Sequence, residues 1–119
     1  MSQPPNLSQQ DQQEVARFQN IQQQLEFMMQ QQSSIQHQFA EKEAAIKELE
    51  SAEEDAIVYK SAGGIFIKSS VPVLLTSSKE KKEELEIRLN SITKQVERIN
   101  KQYEEQKAKI QEINKKLGY

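Results

Sequence analysis

A side chain that does chemistry must be a nucleophile, a tunable acid or base, or one of a set of metal ligands, and this chain of 119 residues offers few candidates. His37 is the one histidine, and there is no cysteine to share a metal with it or to act as a nucleophile. The adjacent carboxylates Glu53 with Glu54 and Glu104 with Glu105 lie in polar stretches, with no apolar pocket to shift their pKa, and read as solvated charges. Gly63-Gly64 has neither the lysine nor the further glycines of a phosphate-binding loop, so it reads as a turn. No catalytic constellation, metal set or cofactor motif emerges, and the chain is expected not to be an enzyme. Sixteen Lys and Arg stand against 18 Asp and Glu, which provides no net field towards nucleic acid or an anionic membrane. No apolar run approaches the roughly 20 residues that span a bilayer, and Met1-Ser2-Gln3-Pro4-Pro5 is not a secretory signal pattern, so a cytoplasmic protein is expected.

What remains is the placing of apolar side chains. Only 35% of residues are hydrophobic and 29% are charged, which is thin for a compact core and points to long helices. From Phe18, apolar residues recur in steps of three and four: Phe18, Ile21, Leu25, Met28, Ile35, Phe39, Ile46 and Leu49, with Gln32 and Lys42 in the remaining slots. A second series runs Leu85, Leu89, Ile92, Val96, Ile99, Tyr103, Ile110, Ile113 and Leu117, interrupted at Gln106. Both are coiled-coil seams of matching length. The expected fold is mainly α, a long antiparallel coiled-coil hairpin with a first helix over residues 8–54 and a second over 78–117. Facing seam positions then have numbers totalling about 134 to 135, pairing Leu49 with Leu85, Leu25 with Ile110 and Phe18 with Leu117, to within a heptad. Ser8 with Asp11 and Ser77 with Glu80 have capping-box spacing and mark the two helix starts. Glu43 with Lys47, Glu97 with Lys101, Glu105 with Lys109, and Glu112 with Lys116 are spaced to pair along the outer faces. At 1.5 Å per residue the first helix alone makes an arm of roughly 70 Å.

Between the seams, Ile57, Val58 and Tyr59 precede Gly63 and Gly64, and Ile65, Phe66 and Ile67 follow them. β-branched and aromatic runs around a Gly-Gly turn predict a β-hairpin over 57–68. A lone hairpin is marginal in water and leaves two free edges, so it is expected to pair with strands of other chains, or else to fold over the end of its own helices. Residues 69–77 form the connection, and Pro72 limits its apolar part to an edge strand or a packing strap.

The Ala-Glu-Glu-Asp-Ala stretch at 52–56, Val58-Tyr59-Lys60-Ser61, Gly63 and then Ile65-Phe66-Ile67, behind a Gln-rich first helix, resemble archaeal prefoldin, in its shorter β-type subunit. The apolar connection from Ser69 to Thr76 is longer than that type leads one to expect. The resemblance implies hairpins joined into an intersubunit β-barrel, in a hexamer of two α-type and four β-type subunits. It also implies capture of unfolded proteins at the coiled-coil tips without ATP, and their transfer to a group II chaperonin. A structural coiled-coil module bridging folded partners is the alternative that the heptads alone support.

On that resemblance the client-binding residues are Leu7, Val15, Phe18, Ile21, Ile113, Leu117 and Tyr119. The expected register leaves residues 7–14 without a partner helix, so these side chains are exposed by fraying; as static structure, Phe18, Ile21, Ile113 and Leu117 are simply seam. Phe27 and Met29 flank the seam and read as a client contact along the inner wall, a contact with a neighbouring subunit, or ordinary exposed apolar residues. Fourteen glutamines in the first 38 residues give a weakly charged surface or just a good helix.

Overall fold

The computed structural model describes residues 7–118. In chain order it has helix α1 (Gln9–Ser51), strands β1 (Val58–Ala62) and β2 (Ile65–Ser69), and helix α2 (Val71–Lys116). The mainly α fold with one β-hairpin between two long helices is the one expected from the seams.

Local chemistry accounts for each boundary. The Ser8 hydroxyl accepts a hydrogen bond from the Asp11 N–H at 3.0 Å, filling one of the free donors of the first turn of α1. Gly118, with φ of 83°, ends α2 in the left-handed region, and its N–H reaches the Lys115 carbonyl at 3.2 Å. The strands pair antiparallel, Val58 against Ser69 through Ala62 against Ile65. Gly63 and Gly64 both have positive φ, 57° and 84°, as a two-residue turn between right-twisted strands requires.

The start of α2 departs from expectation. Residues 71–77 are helical rather than a connection, and Ser70, not Ser77, is the cap: its hydroxyl accepts from the Val73 N–H at 3.3 Å. Ser77 lies inside the helix and donates to the Leu74 carbonyl. Pro72 is neither edge strand nor strap. It sits in the first helical turn, where its missing N–H would have had no partner, so its presence costs little.

The chain forms two compact units, one of the described residues up to Gln32 with Ile92 onward, the other of Ser33–Ser91. In the second unit, Ile35, Ile46, Val71 and Leu85 are buried, Leu85 completely. Glu43 pairs with Lys82 at 3.7 Å and Glu50 with Lys79 at 3.8 Å, and the Lys82 ammonium lies 5.5 Å from the centre of the Phe39 ring. In the first unit, Leu25, Ile92 and Ile113 are buried, and the Gln32 amide donates to the Thr93 hydroxyl at 3.1 Å.

These cross-helix partners correct the register. Phe18 meets Tyr103, Gln32 meets Thr93 and Glu43 meets Lys82, so facing numbers total about 120 to 125, some ten below the expected value. The error exceeds a heptad. Its cause is periodicity: 11 residues make about three turns, so a slip of that length returns the same apolar face to the partner. The ion pairs follow the true register. Glu43, Lys109 and Lys116, expected to pair along their own helices, instead pair across with Lys82, Glu14 and Asp11.

Candidate functional site

Two regions carry apolar side chains beyond what the helix seams use. The first is the hairpin. Opposed residues of an antiparallel pair share a face, so Val58, Lys60, Ala62, Ile65, Ile67 and Ser69 lie on one side, and Tyr59, Ser61, Phe66 and Lys68 on the other. Both faces are apolar and open: Ile65 is 61% exposed and Ile67 50%, and behind them Tyr59 is 57% and Phe66 75% exposed. Ile57, just before β1, is also exposed. A groove of about 640 Å³ beside the strands is lined by Leu49, Ile57, Val58, Phe66 and Leu74. With two free edges and two apolar faces, this hairpin is an incomplete sheet. What it can do is bury area against strands of suitable shape.

The second region is where the start of α1 lies beside the end of α2. Phe18 and Tyr103 stack with ring centres 5.2 Å apart. Ile113 is buried, while Leu7, Val15, Ile21 and Leu117 are half-buried, and Tyr119 lies outside the described residues. The expectation that residues 7–14 lack a partner helix is overturned. The Asp11 carboxylate, itself buried, is 3.7 Å from the Lys116 ammonium, and the Glu14 carboxylate is 3.7 Å from Lys109. Because α2 extends this far in the true register, both helices end nearly level. The expected apolar surface is therefore largely covered in this state.

Beside the Glu14–Lys109 pair lies Gln106, 3% exposed. Its amide donates to the Glu14 backbone carbonyl at 2.9 Å and to the Glu14 carboxylate at 2.8 Å. That hydrogen bond, then the charges of Lys109 and Arg17, holds the Glu14 carboxyl below its ordinary pKa against a smaller opposing effect of desolvation. Phe27 and Met29 are 59% and 51% exposed, on either side of the half-buried Met28. Sequence reasoning passed over two more exposed apolar residues, Val73 and Ile87. Ile87 falls two places after Leu85, off the seam, and that spacing could have revealed it. Among the described residues there is no cluster of His, Asp and Glu able to hold a metal ion, and no helix is long and apolar enough to cross a membrane.

Comparison with known proteins agrees with this geometry. The family profile described as prefoldin subunit matches residues 12–116. The chain is 35% identical over 106 residues to prefoldin subunit beta of Thermococcus kodakarensis, covering 89% of this chain and 91% of that one. It is 34% identical over 109 residues to prefoldin subunit beta of Methanosarcina acetivorans, covering 92% and 90%. The crystal structure of the prefoldin beta subunit from Thermococcus strain KS-1 superposes with a TM-score of 0.80 at 34% identity, covering 92% of this chain and 96% of that one.

Proposed function

The chain belongs to the prefoldin subunit family, a family of chaperones rather than enzymes, and on that premise we propose that it is the β-type subunit of a hexameric holdase. The observation that carries the reading is the hairpin, whose two faces both expose large apolar side chains. In the proposed assembly, α2β4, Ile57, Val58, Tyr59, Ile65, Phe66 and Ile67 join a β-barrel with the strands of α-type and further β-type subunits, and Gly63 and Gly64 turn the chain there.

Unfolded clients are held, without ATP, at the helix ends remote in sequence from the hairpin and are passed to a group II chaperonin in the cytoplasm. Leu7, Val15, Phe18, Ile21, Ile113, Leu117 and Tyr119 supply the contact, with Phe27 and Met29 as a further one. Apolar side chains on frayed turns give a non-directional surface that suits clients of varied sequence. Since most of these residues are at least half-covered when the helices are paired, holding requires local opening of the last turns.

The test is to mix the chain with an α-type prefoldin subunit, measure mass by light scattering, and follow aggregation of a denatured protein without nucleotide. A defined hexamer that slows aggregation is expected. Removal of residues 1–17 and 113–119 should abolish holding and spare assembly. A homodimer without holding activity would favour a coiled-coil bridging module instead, and unchanged holding by the truncated chain would sink the assignment of the client surface.

A further inference from the structure

We infer that the Gln106–Glu14 contact, with the Gln32–Thr93 hydrogen bond, selects the observed helix register against a second apolar register about three turns away. The second register is built into the seams. A slip of about 11 residues sets Leu25 against Ile110, Ile21 against Ile113 and Phe18 against Leu117, three apolar pairs, with each helix presenting the same face. Apolar burial is non-directional and discriminates poorly between two such pairings.

Hydrogen bonds do discriminate. Gln106 occupies a seam position, almost wholly buried, and both of its bonds are to Glu14. After the slip its amide would face Met28, whose thioether is a weak acceptor, and Gln32 would face Tyr103 rather than Thr93. A buried amide that loses its partner keeps the cost of its desolvation. Asp11 and Glu14 would also leave the helix pair, giving up Lys116 and Lys109. Single polar residues at seam positions are known to set register in coiled coils, at some cost in stability.

Two further regions respond to the same choice. Since α1 ends at Ser51, the slipped register leaves residues 71–83 of α2, its first turns included, without a partner helix. It also uncovers residues 7–17. Under the proposed client-binding role, the polar contacts therefore hold the apolar helix ends closed.

Introduced cysteines report the register directly, because the native chain has none. By the pairings of Phe18 with Tyr103 and Gln32 with Thr93, Leu25 falls opposite Ile99. The pair Leu25→Cys with Ile99→Cys therefore traps the observed register, and Leu25→Cys with Ile110→Cys the slipped one. In the otherwise native chain at high dilution, the first pair should close within the monomer and the second stay reduced. Adding Gln32→Leu and Gln106→Leu should raise closure of the 25–110 pair at least tenfold and speed amide exchange over residues 71–77. The inference is overturned if the 25–110 pair remains reduced while the 25–99 pair closes as before. Should the double leucine variant lose its helical circular dichroism, Thr93→Val, which removes only the acceptor of Gln32, is read with the same pairs and the same criterion. Disulfide closure involves no client, so failure here is distinct from failure of the holdase reading.

Discussion

If the hairpin is the assembly surface, its exposed side chains should carry a calculable share of the association energy. Phe66 and Ile65 are 75% and 61% exposed in the single chain. Burying a whole side chain of this size contributes about 1.5 to 3 kcal/mol, so the exposed portions retain about 1 to 2 kcal/mol each. The double variant Ile65→Ser, Phe66→Ser should weaken each hairpin contact by about 3 kcal/mol, which is about a hundredfold in dissociation constant. The assay is light scattering across a dilution series with an α-type subunit, with circular dichroism to confirm that the helices persist. They should persist, because substitutions at exposed sites usually shift folding stability by less than about 0.5 kcal/mol. Exposure alone is not the cause being tested, so Val73→Ser and Ile87→Ser, at sites 60% and 70% exposed, serve as controls that leave assembly intact. An unchanged dissociation midpoint in the double variant, or an equal loss in the controls, would refute the reasoning.

The helix phase gives a second prediction: Leu85 has no exposed surface and Ile87 is 70% exposed. Leu85→Ala should therefore cost about 2 to 5 kcal/mol and Ile87→Ala less than about 0.5 kcal/mol in urea unfolding; equal losses would mean that the seam is wrongly placed. A third follows from Glu14, whose carboxyl is held below its ordinary value of 4.5 by the Gln106 amide and then by Lys109 and Arg17. A depressed carboxyl contributes its stability in full above the unfolded pKa and loses it as pH falls through the folded one. The stability difference between the parent and Glu14→Gln should thus be greatest at neutral pH and shrink as pH falls below 4.5, and a difference that stays level in acid titration would exclude the carboxylate as its source.

Much of this architecture was legible because it rests on periodicity. Spacings of three and four identified both helices, and the Gly-Gly turn between β-branched runs identified the hairpin. Register was not legible, since apolar matching repeats every three turns and the polar contacts, those of Gln32 and Gln106 and the cross-helix ion pairs, distinguish the choices. The start of α2 was missed for a local reason. Pro72 and Thr76 obscured the pattern Val71, Leu74, Leu75 and Ser78, which has helical spacing and lies on the covered side. With the register slipped, residues 7–14 seemed unpaired when Asp11 and Glu14 in fact have partners on α2. The hairpin residues kept their predicted exposure because local strand and turn chemistry does not depend on register.

The ion pairs between the helices have a polarity of their own. In each of the four cross-helix pairs among the described residues, the acid comes from α1 and the base from α2: Asp11 with Lys116, Glu14 with Lys109, Glu43 with Lys82, and Glu50 with Lys79. One helix is a plug and the other a socket. At these positions α1 presents acids and α2 bases, so the pairs that join the two helices have no counterpart between two copies of one helix. Each pair keeps at least one partner open to solvent, so it is worth at most about 1 kcal/mol, and salt weakens it. The preference is therefore modest and strongest in dilute buffer, where several copies of the chain can crowd together without their helices exchanging like for like.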